Sequence, residues 1–177
     1  MLGLGIFLLG PIPSYGKIFY AKDEALKLAF PDADSVEPRT FILKDAEIQR
    51  AQQRARTRID SKLFTFYIGK KNGQILGYAA MESHVVRTLY ATIMVVLSPA
   101  GQILSTVVLA FHEPPEYLPS EKWLGQFPHK GLSPELWPGR EIAGILGSTL
   151  SVQAITGGVR KVLALFEILI KEKKEKR

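Results

Sequence analysis

The stretch LFTFYIGKKNGQILGYAAM, residues 63–81, decides the fold class because two apolar runs flank the dipeptide Asn72-Gly73. Asn and Gly both adopt positive φ readily, so this dipeptide between apolar runs is a strong signal for a β-hairpin. Residues 88–97 and 103–111 are two further β-rich apolar runs, joined by a Pro-Ala-Gly turn. We therefore expect an antiparallel meander of about four strands in the middle of the chain.

Segments with helical spacing, in which apolar residues recur every three or four positions, flank this meander: residues 21–30, 44–60 and 149–174. Residues 35–43, between the first two, are extended in character. In the last segment, Gly157-Gly158 would let the backbone approach a neighbour closely. These patterns predict an α+β fold in which an antiparallel sheet packs against helices and the chain ends in a long helix.

The composition limits the chemistry that the chain can perform. It has 177 residues, 46% of them hydrophobic, and no cysteine. One domain of this length buries enough surface to be stable without disulfides or a metal. The lack of Cys excludes disulfides, iron–sulfur clusters, thiolate zinc sites and a cysteine nucleophile. Any redox chemistry must therefore use an organic cofactor.

The net charge of +6 comes from two basic stretches, residues 47–62 and 171–177, and the rest of the chain is balanced. Proteins that bind nucleic acid usually place aromatic residues among the basic ones to stack on bases, and neither stretch contains an aromatic residue. We therefore expect no nucleic-acid partner. The charged tail, residues 171–177, is either a solvated helix end or a weak attraction for anionic lipid.

The amino terminus contains an apolar run within residues 1–16. Its length suits the core of a signal peptide but is about half of what a bilayer span needs. No basic residue precedes the run. We expect residues 1–16 to be the remnant of an export signal or anchor, with an apolar strand or docking segment as the alternative. The predicted organisation is this segment, a domain at residues 17–170 and the charged tail.

Common catalytic motifs do not occur in this chain. The three histidines are scattered without the spacing of a metal site, and no G-x-S-x-G sequence occurs. Gly139 and Gly144 have the spacing of a phosphate-binding P-loop, but Ile145 and Leu146 stand where Lys and Ser or Thr are needed. We therefore predict neither a metal site nor a catalytic residue.

The start of the final helix is the remaining candidate site, because Gly147 is followed there by Ser148, Thr149, Leu150 and Ser151. The first turn of a helix has free N–H groups and a positive dipole end, and hydroxyl groups add further donors for an anion. The alternative is a simple N-cap, in which Ser148 or Thr149 satisfies those N–H groups. The spacing alone does not decide between the two.

The segment GSTLS followed by VQAI resembles the S/T-G-A-T-x-[ST] motif of a family of FMN-binding domains. The family includes domains of the Rnf electron-transport complex, of the sodium-translocating NADH:quinone reductase and of the nitrous-oxide-reduction regulator NosR. Three further segments are similar to this family in the same order: its first helix and phenylalanine-proline-acidic turn, its strand leading into an H-x-E-T-P-G-L-G loop, and its W-x-x-Q-F element, at residues 25–34, 103–113 and 123–127. The chain departs from the motif at Ala143, Leu146 and Ser148, and it lacks the glycines of the loop.

In that family the motif threonine carries FMN through a phosphoester bond that a separate flavin transferase makes. The resemblance implies the following FMN-binding residues: Gly147, Ser148, Thr149, Leu150, Ser151, His112, Glu113 and Trp123. Thr149 would hold the phosphate. The isoalloxazine ring would lie against the proline-rich loop near His112, Glu113 and Trp123.

The resemblance further implies an electron-transfer module that passes electrons between redox partner proteins at the outer face of a bacterial membrane. Its location would be extracytoplasmic and membrane-associated, with attachment through the amino terminus. The alternative is a cofactor-free structural or assembly domain that has kept the fold and lost the flavin.

Overall fold

The computed structural model describes residues 16–175, which form a six-stranded antiparallel sheet with helices on both faces. The strands are β1 (Lys17–Ile18), β2 (Ser35–Ile42), β3 (Leu63–Lys71), β4 (Gln74–Val85), β5 (Tyr90–Leu97) and β6 (Ile103–Phe111). Their order across the sheet is β1-β6-β5-β4-β3-β2. The predicted α+β class is confirmed, and strands β3 to β6 form the predicted central meander of about four strands. Strands β1 and β2 add one strand at each edge.

The helices are α1 (Lys22–Ala29), α2 (Asp45–Ala55), α3 (Glu121–Leu124), α4 (Thr149–Phe166) and α5 (Glu172–Glu175), with a π-helical turn, Glu167–Lys171, that joins the last two. A 3₁₀ turn at Pro115–Tyr117 precedes α3. The predicted long C-terminal helix is confirmed. The helix predicted over residues 44–60 ends earlier, at Ala55, because Arg56 adopts a left-handed φ of 54°.

The β3–β4 hairpin has the predicted two-residue turn, in which Asn72 and Gly73 have φ of 49° and 77°. The ladder between the two strands ends at the pair Tyr67 and Ala79. Beyond that pair β3 continues to pair with β2, and β4 continues to pair with β5. The two strands therefore separate at the end of the sheet away from the hairpin turn.

One face of the sheet packs against α2 and α4, and α1 covers part of the other. The apolar positions predicted for the final helix are all buried: Val152, Ile155, Val159, Val162, Phe166 and Leu169. A Cβ atom at Gly158 would lie 3.1 Å from the Cδ1 atom of Ile93 on β5. The close approach predicted for the glycine pair is therefore present, and it brings α4 directly onto the sheet.

Arg160 of α4 is 1% exposed and ties two distant parts of the chain together. Its guanidinium donates to the carbonyl oxygens of Arg54 and Ala55 at the end of α2, at 2.8 and 2.7 Å. It also donates to the carbonyl oxygens of Ser133 and Leu136 in the proline-rich loop. The negative end of the α2 dipole thus faces this buried charge. Arg160 therefore fixes both α2 and the loop to α4.

The predicted apolar segment, residues 1–16, lies outside the described residues except for Gly16, and so do the last two residues of the tail. The predictions made for these segments stay predictions. Within residues 16–175, no helix combines the length and the apolarity that crossing a membrane requires.

Candidate functional site

The first turn of α4 presents one hydroxyl group to solvent and hides two others. Gly147 precedes the helix with φ of 83°, a conformation that favours glycine. Thr149, the first helical residue, is exposed, whereas Ser148 and Ser151 are 5% and 1% exposed. Thr149 is therefore the accessible hydroxyl of the GSTLS segment.

The backbone N–H groups of this first turn are free. The first helical hydrogen bond runs from the N–H of Val152 to the carbonyl of Ser148. The N–H groups of Thr149, Leu150 and Ser151 donate to no acceptor among the residues that the structure describes. Ser148 occupies the N-cap position, but its Oγ donates to the Glu116 carbonyl at 3.3 Å and caps none of them. The side-chain cap that the sequence left open is therefore not formed, and the positive helix end can face an anion.

A pocket of about 240 Å³ lies at this helix end, and we name it the α4 N-terminal pocket. Residues 147–151 line it together with Arg87 and Tyr117. The guanidinium carbon of Arg87 lies 4.6 Å from the centre of the Tyr117 ring. Neither residue belongs to a sequence motif, and the two come from distant parts of the chain, so no local pattern pointed to them. Arg87 therefore adds a cation to the pocket into which residues 147–151 also face.

Glu113 is 3% exposed and lies beneath the turn between β4 and β5. Its Oε1 atom accepts hydrogen bonds from the backbone N–H groups of Arg87, Thr88 and Leu89, at 2.9, 2.7 and 2.8 Å. Burial acts to raise the pKa of Glu113, but these three hydrogen bonds and the nearby Arg87 charge outweigh it and lower the pKa. The carboxylate therefore holds the turn that carries Arg87.

Trp123 is 6% exposed and packs edge-on against Phe127. Its Nε1–H donates to the Ala143 carbonyl at 2.7 Å, and the Gln126 Oε1 accepts from the Ala143 N–H at 2.8 Å. The WLGQF element thus fixes the backbone that leads to Gly147. Trp123 supports the site from behind and does not line the α4 N-terminal pocket.

His112 lies at the end of β6 beside Gly16, where a Cβ atom would collide with its imidazole ring. Of the eight predicted site residues, the structure brings residues 147–151 together and places His112, Glu113 and Trp123 outside the pocket lining. No protein-family model and no curated protein matches this chain.

Proposed function

We propose that residues 16–175 form an electron-transfer module that carries FMN on Thr149 through a phosphoester bond. The observation that carries this proposal is one exposed hydroxyl at a helix end with three free N–H donors, in a pocket that Arg87 also lines. A phosphate ester is the group that this arrangement fits, since helix ends and guanidinium groups both bind phosphate oxygens. The identification of the esterified group as a flavin rests on the motif resemblance.

FMN, when bound, supplies one-electron transfer between redox partners. The residues of this chain then need only to hold it. Thr149 provides the ester oxygen, and the free N–H groups with Arg87 offset the phosphate charge. Glu113 holds the turn that positions Arg87, and Trp123 fixes the segment before the helix.

A separate flavin transferase would attach the group, and the exposure of Thr149 permits its access. The bond between the Thr149 oxygen and phosphorus would form as the phosphoanhydride bond of a flavin dinucleotide breaks. The nucleoside monophosphate would leave, and the hydroxyl proton would be lost. We further propose redox partner proteins at the outer face of a bacterial membrane, with attachment through the amino terminus.

Intact-mass measurement after coexpression with a flavin transferase tests this proposal. The wild-type chain should gain the mass of FMN minus water, Thr149→Ala should gain none, and Thr149→Ser should retain part of it. Ser151→Ala is the matched control, because Ser151 is buried and should leave the increment unchanged. Thr149→Ala should change the free energy of unfolding by less than about 1 kcal/mol, because no cap bond is lost.

An undiminished adduct in Thr149→Ala would contradict the assignment. A colourless wild-type protein with no adduct would favour the cofactor-free structural domain. One observation favours that alternative: Glu113 and Trp123, which were expected to contact the ring, form hydrogen bonds with backbone groups of the fold instead.

A further inference from the structure

Five large apolar side chains are exposed at the end of the molecule where α4 begins, and we name them the apolar rim. Three of them, Val85, Leu89 and Tyr90, belong to the β4–β5 turn and the strand ends beside it. The other two, Leu146 and Leu150, lie before and within the first turn of α4, and Leu146 is fully exposed. A single exposed apolar residue is ordinary, but a group of them marks a surface that contacts a partner.

The two segments that carry the apolar rim meet in the fold. Val85 pairs with Tyr90 across the base of the β4–β5 turn, and the N–H of Val86 donates to the Leu89 carbonyl at 3.0 Å. Arg87, at the tip of this turn, lines the α4 N-terminal pocket together with residues 147–151. The pocket therefore joins the turn to the helix, and the rim side chains surround one end of the molecule.

The described part of the chain begins at the same end. The N–H of His112 donates to the Tyr90 carbonyl at 3.0 Å, and a Cβ atom at Gly16 would collide with the His112 ring. Lys17 follows and pairs with Phe111, the last residue of β6. Residues 1–15 therefore join the domain beside Tyr90 of the apolar rim, and they contain the apolar run of the sequence at residues 2–9.

A lipid surface fits these features better than a protein partner does. The rim side chains stand on two separate turns, and such scattered contacts suit a fluid surface that needs no matching shape. Exposed cations, Lys17 and Arg87, lie among them, and the adjoining loop contributes one exposed acid, Glu116. Apolar side chains that enter the boundary between headgroups and acyl chains, with cations beside them, are typical of proteins that lie on a membrane.

The position of the amino terminus strengthens this argument. A single short anchor holds a protein on a membrane only weakly and reversibly, and stable attachment takes a second contact. Residues 1–16 are the expected anchor, and they join the domain beside the apolar rim. A bilayer that holds this segment would therefore lie close to the rim, which can provide the second contact.

We propose that the apolar rim is a membrane-contacting surface, whose side chains enter the headgroup boundary of the bilayer to which residues 1–16 attach the chain. This inference rests on the membrane attachment in the proposed function and not on the flavin. It fixes the orientation of the domain: the end with Leu146 and the start of α4 faces the lipid, and the Asn72-Gly73 turn, at the other end of β4, points away from it.

Site-directed spin labelling tests this orientation, because the chain has no cysteine and a single introduced one carries the label. Leu146→Cys and Leu89→Cys report on the apolar rim. Ile75→Cys is the matched control, since Ile75 is 39% exposed and lies beside the Asn72-Gly73 turn. With the full chain on vesicles of phosphatidylcholine and phosphatidylglycerol, collisions with a water-soluble nickel chelate should fall about fivefold or more at positions 146 and 89 and stay unchanged at position 75.

Three results would overturn the proposal: equal collision rates at the three positions on vesicles, a full chain that does not float with vesicles, or dipolar broadening of the Leu146→Cys spectrum without vesicles. The last would show a second copy of the chain at the apolar rim. Intact mass on coexpressed samples decides the flavin separately. A chain that carries FMN but leaves position 146 open to the chelate refutes the inference alone, and a protected rim without FMN refutes the flavin alone.

Discussion

The substitution Glu113→Gln tests whether one buried carboxylate organises the turn behind the α4 N-terminal pocket. The Oε1 of Glu113 accepts three backbone N–H groups at 2.7 to 2.9 Å. Gln keeps the shape and one acceptor oxygen but removes the charge. Hydrogen bonds to a charged group contribute about 1.5–3 kcal/mol, whereas neutral ones contribute about 0.5–1.5 kcal/mol. If each of the three bonds weakens by about 1 kcal/mol, Glu113→Gln should lower the free energy of unfolding by about 3 kcal/mol.

Urea unfolding at neutral pH, with the free energy extrapolated to water, measures this loss. Glu116→Gln is the matched control, because Glu116 belongs to the same loop, is exposed and makes no side-chain hydrogen bond among the described residues. It should change the free energy of unfolding by less than about 0.5 kcal/mol. If the two variants were equally stable, the turn would not depend on Glu113.

The same substitution has a defined pH dependence. The pKa of Glu113 is lower in the folded state than in the unfolded chain, so its stabilising contribution is present at neutral pH. It is lost as the pH falls through the folded pKa. The difference in stability between wild type and Glu113→Gln should therefore shrink in acid, and a constant difference would exclude the carboxylate as its cause.

Two further substitutions test buried groups of the fold. Arg160→Met removes a donor from four backbone carbonyl oxygens, of which, among the described residues, only that of Ser133 keeps another, the Leu136 N–H. It should lower the free energy of unfolding by about 3 kcal/mol or more, whereas the exposed Arg58→Met should lower it little, as urea unfolding would measure. The pKa of His84 is lowered from 6.5 to about 4 in the folded state, so acid protonates His84 in the unfolded chain first. The free energy of unfolding should therefore fall by up to about 3 kcal/mol between pH 7 and 4 because of this group. His84→Leu should remove that part of the acid sensitivity, and an unchanged pH profile would contradict the assignment.

Local signals in the sequence predicted the central sheet and the final helix, because both depend on residues close to one another in the chain. Asn72-Gly73 fixes its own turn, and the apolar period of α4 fixes its buried face. The extended character predicted for residues 35–43 is confirmed by β2, but the place of this strand at the sheet edge could not be predicted, because its side chains are mostly exposed and it contains Pro38. The carbonyl of Ala55 at the end of α2 accepts a hydrogen bond from Arg160, which is distant in sequence. The local pattern therefore could not predict where α2 ends.

The residues of the candidate site also fall into two groups, those that are neighbours in the sequence and those that only the fold brings together. Residues 147–151 are contiguous and therefore visible as a motif. Arg87 joins them only through the fold, and the bonds of Glu113 to its turn depend on where β6 ends relative to β4. A carboxylate that binds backbone has no sequence signature that separates it from one that contacts a ligand.

The separation of β3 from β4 beyond Tyr67 and Ala79 has a mechanical consequence. The sheet behaves as two ribbons, β2–β3 and β4–β5–β6–β1, that share one stiff end and are open at the other. No ladder hydrogen bond joins the two ribbons at this opening, so a change in their angle there would be opposed by side-chain packing, such as that of Phe66 on Tyr78, and not by the ladder. The hydrogen bond from Lys161 to Glu82 links α4 to β4 beside the opening.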